Sequence, residues 1–181
     1  MASTNPVTTG PAMAVDRPHI VVTGLMGVGK STTARALAES LELPHRDSDD
    51  DLQQLFAASG AELARRHGVD ELHRLEAAVL LGALAATNPA VISAAAWVVE
   101  DPRCRDALAR RATVIVLEAP LDVVAARIAT GHHRRPMDRA ELERLATQRA
   151  PLFETVADLS VDATDDPQVV VSKIVEKLLT R

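Results

Sequence analysis

The chain has 181 residues, 47% of them hydrophobic and 25% charged, with a formal charge of −5 at neutral pH. That suits one domain with a real core and leaves too little chain for two. No apolar run reaches the ~18 residues of a membrane span, and the single cysteine, Cys104, excludes both an intramolecular disulfide framework and a zinc cage of several cysteines. A nucleic-acid partner calls for a basic face or stacking aromatics, whereas this chain is acidic and has two Phe, one Trp and no Tyr.

Residues 1–17 mix small, polar and proline residues without periodicity and read as a disordered tail. They lack the apolar stretch of roughly 7–15 residues that a secretory signal needs, so the expected location is the cytoplasm. The domain is expected over 18–181. It opens with an apolar strand over 19–23, ended by Gly24, and a helix follows over 30–41. A second strand is read at 43–46. Helices are read at 50–58, 61–67 and 68–87, and a third strand at 90–93. Asp101-Pro102 has the form of an N-cap followed by proline at the first helical position. The clearest buried strand is 113–117, followed by a helix over 121–129. Thr130-Gly-His-His-Arg-Arg-Pro136 breaks the pattern and reads as a mobile loop over a site; standing alone, it reads rather as a solvated basic loop. A last strand at 158–162 precedes a helix that Asp166-Pro167 opens. Strands alternating with helices in this way predict an α/β fold with a single parallel sheet of about five strands, covered by helices on both faces.

Only three of the 20 basic residues are lysines. One of them, Lys30, lies in Gly24-Leu-Met-Gly-Val-Gly-Lys-Ser31, a complete G-x-x-x-x-G-K-S between an apolar strand and an amphipathic helix. Glycines allow a tight turn and close backbone approach to phosphate oxygens, and the helix N-terminus adds unpaired N–H groups. Gly24, Gly27, Val28, Gly29, Lys30, Ser31 and Thr32 are therefore the expected nucleotide-binding set. Lys30 would reach the β- and γ-phosphates of a purine nucleoside triphosphate, and Ser31 would hold Mg²⁺. The acidic run Asp47-Ser-Asp-Asp-Asp51 follows the second strand, at the strand end where ligands of parallel sheets bind. One Asp there can hold Mg²⁺ and another can take a proton from an attacking hydroxyl. The same run would also serve as a helix N-cap with an acidic first turn.

With these motifs the chain resembles the shikimate kinases, small P-loop enzymes of the nucleoside-monophosphate-kinase-like group. The resemblance spans 20–179 and rests on the phosphate loop, Asp47-Ser-Asp49, Glu71-Leu-His-Arg-Leu-Glu76, Arg135-Pro136 and Arg149-Ala-Pro-Leu-Phe153. It implies an ATP- and Mg²⁺-dependent transfer of the γ-phosphoryl group to a hydroxyl of a small molecule. By resemblance, Asp47 supports Mg²⁺, Asp49 contacts the acceptor hydroxyl, and Arg135 folds over the transferring phosphate from a lid at about 130–145. By the same resemblance Arg149 binds the acceptor carboxylate and Glu76 lies at the edge of the acceptor site; Arg127, just before the lid, reads either as a cover for the nucleotide base or as a plain helix-surface arginine.

The acceptor side departs from the family in two places. The glycine run at the end of the third strand is replaced by Ala94, Ala95 and Ala96, followed by Trp97. Where the family has an arginine facing the acceptor, this chain has His73, which also reads as a plain surface residue; Arg74 would point about 100° away. The loop 163–167, which packs on adenine in the family, is acidic here. The leading expectation is a small-molecule kinase, either for shikimate or for another polyol or sugar acid such as gluconate. A non-catalytic nucleotide-binding regulatory module is the alternative of another class, and Arg135 with Asp49 separates the two. A monomer is expected, with a dimer as the alternative. Cys104, between Arg103 and Arg105, could have a lowered pKa but reads as an ordinary thiol. His132 and His133 lack the company a metal site needs.

Overall fold

The computed structural model describes residues 17–130 and 137–180. Its centre is β1 (His19–Gly24), paired in parallel with β3 (Val91–Ser93) on one side and β4 (Ala112–Glu118) on the other. Adding β2 (His45–Asp47) and β5 (Leu159–Asp162) at the edges gives five parallel strands in the order β2-β3-β1-β4-β5. The middles of the central strands are apolar on successive residues because both faces are covered. Ile20, Val22, Ile115 and Leu117 enter one core cluster, and Val21, Val114 and Val116 the other. That division is the two-residue alternation of an extended chain.

The first cluster is closed by α1 (Lys30–Ser40), α6 (Leu121–Thr130) and α8 (Pro167–Leu179), through Leu37, Ile128 and Ile174. The second is closed by α4 (Val69–Ala85), α5 (Pro102–Arg111) and α7 (Arg139–Val156), through Leu80, Leu108 and Phe153. A third, smaller cluster holds Leu52, Ala58, Leu63 and Val79, and joins α2 (Ser48–Phe56) and α3 (Gly60–His67) to α4. Every crossover returns the chain in the same direction, so all strand C-terminal ends lie at one edge of the sheet.

Several boundaries differ from the sequence reading. The second strand starts two residues later than expected. Leu43 N–H caps α1 by donating to Ala38 O (2.9 Å), and Pro44, lacking an N–H, offers only its carbonyl to Val91 N–H (2.9 Å). Asp47, expected just after the strand, is therefore the last residue of β2 and the N-cap of α2. No helix was expected over 139–156. There α7 starts on Asp138, whose side chain accepts from Glu141 N–H (2.7 Å), and runs through Pro151. Of the expected lid, 131–136 lies outside the described residues, Thr130 ends α6, and 139–145 are the first turns of α7. Residues 1–16 of the expected tail also lie outside them. Arg17, assigned to that tail, is tied to the domain instead. Its Nη1 donates to Asp158 Oδ1 (3.0 Å), and Asp158 in turn accepts Val114 N–H (2.9 Å).

Candidate active site

The phosphate loop leaves β1 at Gly24, whose φ of +140° and closeness to Leu117 O leave no room for a side chain. A Cβ built there would lie 2.5 Å from that oxygen. At the other end Gly29 adopts φ +109° and acts as N-cap of α1 with no side-chain cap bond, so the helix begins with its backbone N–H groups directed at the loop. Lys30 Nζ donates to Leu25 O (3.0 Å), across the loop itself. Arg127 of α6 donates to Val28 O and to Ala163 O, both at 3.0 Å. It therefore ties the phosphate loop to the acidic 163–167 loop, and a groove lined by Gly29, Thr32, Arg127, Ala163, Asp165 and Pro167 lies alongside.

Asp47 is buried and heavily bonded. Its Oδ2 accepts from Ser93 Oγ (2.5 Å), its Oδ1 accepts from Asp49 N–H (2.9 Å), and it is hydrogen-bonded to Ser31. Burial alone would push its carboxyl up. The bonds from Ser93, Ser31 and Asp49, helped by nearby His45, outweigh that and hold it below the usual carboxylate range. Ser93 is fixed in turn by His45 Nε2 (3.2 Å) and, through its carbonyl, by Ser48 Oγ (2.8 Å). The sequence reading missed Ser93 and His45. The available signal was a lone polar residue in the apolar run Val91-Ile-Ser93, directly before the alanines.

The region expected to take the acceptor is formed by α4, α7 and the 3₁₀ turn Ala96–Glu100. His73 stacks on Trp97 with ring centroids 4.2 Å apart and planes 9° from parallel. Burial first, then the Arg149 charge, lowers the pKa of His73 and keeps the ring neutral. Glu76 is pushed up to about 7 by burial and by Asp49, against the opposing charges of Arg149 and Lys30. Glu76 thus lies within the electrostatic influence of Lys30, Asp49 and Arg149. Arg149 is buried and its Nε donates to Glu100 Oε1 (2.7 Å). Glu100, which no sequence signal marked, also accepts from Gln148 Nε2 (2.9 Å). Arg74 points away, as expected, and pairs with Glu71 (2.5 Å).

The alanine run is unstrained. Among the described residues only Glu42 and Ala57 are non-glycines with positive φ, so Ala94, Ala95 and Ala96 need no glycine conformation. Ala94 N–H donates to Val22 O (3.0 Å), and Ala95, at φ −57°, leads into the 3₁₀ turn that carries Trp97. Arg135, His132 and His133 lie outside the described residues. Cys104 is buried in the second core cluster. Burial, then Asp101, raises its thiol to about 12, so the flanking arginines do not activate it.

The family model described as shikimate kinase matches residues 26–179. The chain belongs to the shikimate kinase family. A shikimate kinase of Mesorhizobium japonicum is 33% identical over 166 residues, covering 90% of this chain and 81% of that protein. Shikimate kinase from Acinetobacter baumannii in complex with shikimate superposes with a TM-score of 0.84 at 23% identity, over 91% of this chain and 94% of that one. A gluconokinase from Sinorhizobium meliloti shares the fold less closely, with a TM-score of 0.55 at 22% identity over 91% and 98%. This shikimate kinase family member is thus a small-molecule kinase with the P-loop fold, of a family that uses ATP. Among the described residues, no helix is long and apolar enough to cross a membrane.

Proposed function

We propose that this protein transfers the γ-phosphoryl group of ATP, with Mg²⁺, to a hydroxyl of a small polyhydroxy molecule. The observation that carries the reading is the buried carboxylate of Asp47 at the end of β2, held by Ser93 Oγ and Asp49 N–H and acted on by Ser31 of the phosphate loop. It joins a nucleotide-binding loop to a proton-accepting carboxylate at one edge of the sheet.

Ser31 and an ionised Asp47 form a pair of hard oxygen donors, which suits Mg²⁺. Among the described residues no group of three or more His, Cys, Asp or Glu could hold a metal, so the ion would share phosphate oxygens of the nucleotide. When bound, it supplies neutralisation of the β- and γ-phosphate charge. The phosphate loop amides and Lys30 hold the triphosphate, and the groove beside Arg127 fits the nucleoside. Asp49 orients the acceptor hydroxyl and takes its proton as the oxygen attacks. Arg135 would meet the charge that builds on the γ-phosphoryl oxygens.

Family membership makes shikimate the first acceptor to test. The experiment is ADP formation from Mg-ATP, with and without acceptor, for the wild type, Lys30→Met, Asp49→Asn and Arg135→Ala. Acceptor-dependent ADP, lost in all three variants, supports the reading. ATP binding without acceptor-dependent ADP, across shikimate, gluconate and a polyol panel, would sink it in favour of a nucleotide-binding module.

A further inference from the structure

Arg149 is buried yet only partly committed. Its Nε donates to Glu100 Oε1 (2.7 Å), the two side chains being 10% and 21% exposed. Among the described residues its two terminal nitrogens, Nη1 and Nη2, make no hydrogen bond. The charge of Arg149 reaches His73 and Glu76, both on α4. Glu100, by contrast, is held at three points. Its Oε1 accepts from Arg149, its Oε2 accepts from Gln148 Nε2 (2.9 Å), and its backbone carbonyl accepts from Arg105 Nη1 of α5 (3.0 Å). Arg105 Nη1 also donates to Val99 O (2.7 Å), so the end of the 3₁₀ turn is fixed to α5 and α7 alike. The other side chains here offer no second fork. His73 is neutral and stacked on Trp97, Arg74 is turned to Glu71, and Lys30 donates into the phosphate loop.

A guanidinium carries five N–H donors in one plane. A bond at Nε to a fixed oxygen sets the turn of that plane and leaves the Nη end open, where two parallel N–H groups suit one carboxylate. Without Glu100 the side chain regains rotamer freedom that binding must then remove. Its buried charge also loses its partner and is drawn toward Glu76 and Asp49, which fills the fork. Glu100 does oppose an incoming carboxylate. That carboxylate, however, meets the Nη groups at contact distance and Glu100 only across the width of the guanidinium, so attraction outweighs repulsion.

We infer that Glu100 is a positioning residue: braced by Gln148 and Arg105, it holds Arg149 with its Nη end ready for the carboxylate of a hydroxycarboxylate acceptor. The inference rests on the phosphotransfer reading above and deepens it. Carboxylate recognition then depends on Glu100, which acts through Arg149, as well as on Arg149 itself.

The test measures binding as well as turnover. Trp97, the chain's sole tryptophan, stacks on His73 and reports on the region. Full-length protein with Mg-ADP is titrated with shikimate and with its carboxamide, which has the same shape and no charge. The wild type is expected to prefer shikimate by about tenfold or more, the size of one charge-assisted contact. Glu100→Ala should weaken shikimate binding about tenfold and leave the carboxamide within about threefold. Glu100→Gln, which still offers Nε an oxygen, should recover most of the loss. Gln148→Ala, which removes one brace only, should weaken shikimate about threefold, and it carries the test if Glu100→Ala does not fold. In an Arg149→Ala background, Glu100→Ala should have no further effect on shikimate. Tighter shikimate binding in either Glu100 variant would show that Glu100 competes for the guanidinium and would overturn the inference. So would equal losses for both compounds, losses that add to those of Arg149→Ala, or a wild type that does not prefer shikimate. A failure of the phosphotransfer reading looks different: the binding pattern holds as stated, while no bound acceptor promotes ADP formation.

Discussion

Replacing Glu76 by glutamine should make the protein more stable at high pH and leave it unchanged at low pH. The Glu76 carboxyl stands near 7 in the folded protein against an ordinary value of 4.5, chiefly through burial and secondarily through Asp49. A raised folded value means that the folded state holds the proton more tightly than the unfolded state does. Whatever the protonated carboxyl contributes is present in full below about pH 4.5 and is lost as the pH rises through about 7. The interval corresponds to roughly 3 kcal/mol at most, since each unit is worth about 1.4 kcal/mol. Glutamine cannot ionise, so the stability difference between variant and wild type should open by that amount between about pH 4 and pH 8. For a chain of this size it amounts to roughly 6–12 °C in Tm. Urea unfolding of both proteins across the range reads it directly, and other titrating groups cancel in the comparison. Asp49→Asn should shrink the effect, because it removes the second cause. A difference that stays flat with pH would refute the view that the acceptor side forces a carboxyl to keep its proton.

Ser93→Ala removes the 2.5 Å donor to Asp47, a charge-assisted bond worth about 1.5–3 kcal/mol. The Mg²⁺ concentration for half-maximal ADP formation should rise about tenfold, and Ser93→Thr should restore most of it. Arg127→Ala frees the phosphate loop from the 163–167 loop; KM for ATP should rise about tenfold while kcat stays within about threefold. Cys104 should resist a disulfide thiol reagent at pH 8 in the native protein and react promptly in urea, since its thiol is buried and raised to about 12.

The nucleotide side was legible in the sequence because its chemistry is local. Gly24 to Ser31 are contiguous, and their spacing alone implies a turn, a helix start and a lysine. The β-strands were legible because Ile20 to Val22 and Val114 to Leu117 are buried on both faces and need no polar alternation. The acceptor side was legible as single residues, such as His73, Glu76 and Arg149, but the pairings that hold the site together were not, because they join residues far apart in the chain. Glu100 meets Arg149 across 49 positions, and Ser93 meets Asp47 across 46. His73 carried no periodic signal for a partner on the 3₁₀ turn. The helix α7 escaped the reading because Pro136 and Pro151 are both breaker signals. The fold nevertheless keeps Pro151 inside a helix whose Arg149 and Phe153 are buried.

The small cluster of Leu52, Ala58, Leu63 and Val79 gives α2 and α3 a private interior. Among the described residues, α4 is the helix shared by both, sending Val79 into that interior and Leu80 and Leu84 into the main core. The segment 48–85 is thus a side lobe carried on the main core by α4 and anchored at its start where Ser48 donates to Ser93 O. Such a layout lets α2 and α3 change their packing without disturbing the main core, while Trp97, Glu100 and Arg149 stay where the 3₁₀ turn and α7 hold them. Transplanting a relative's 48–85, with the inward stripe of α4 retained, is the natural unit of redesign.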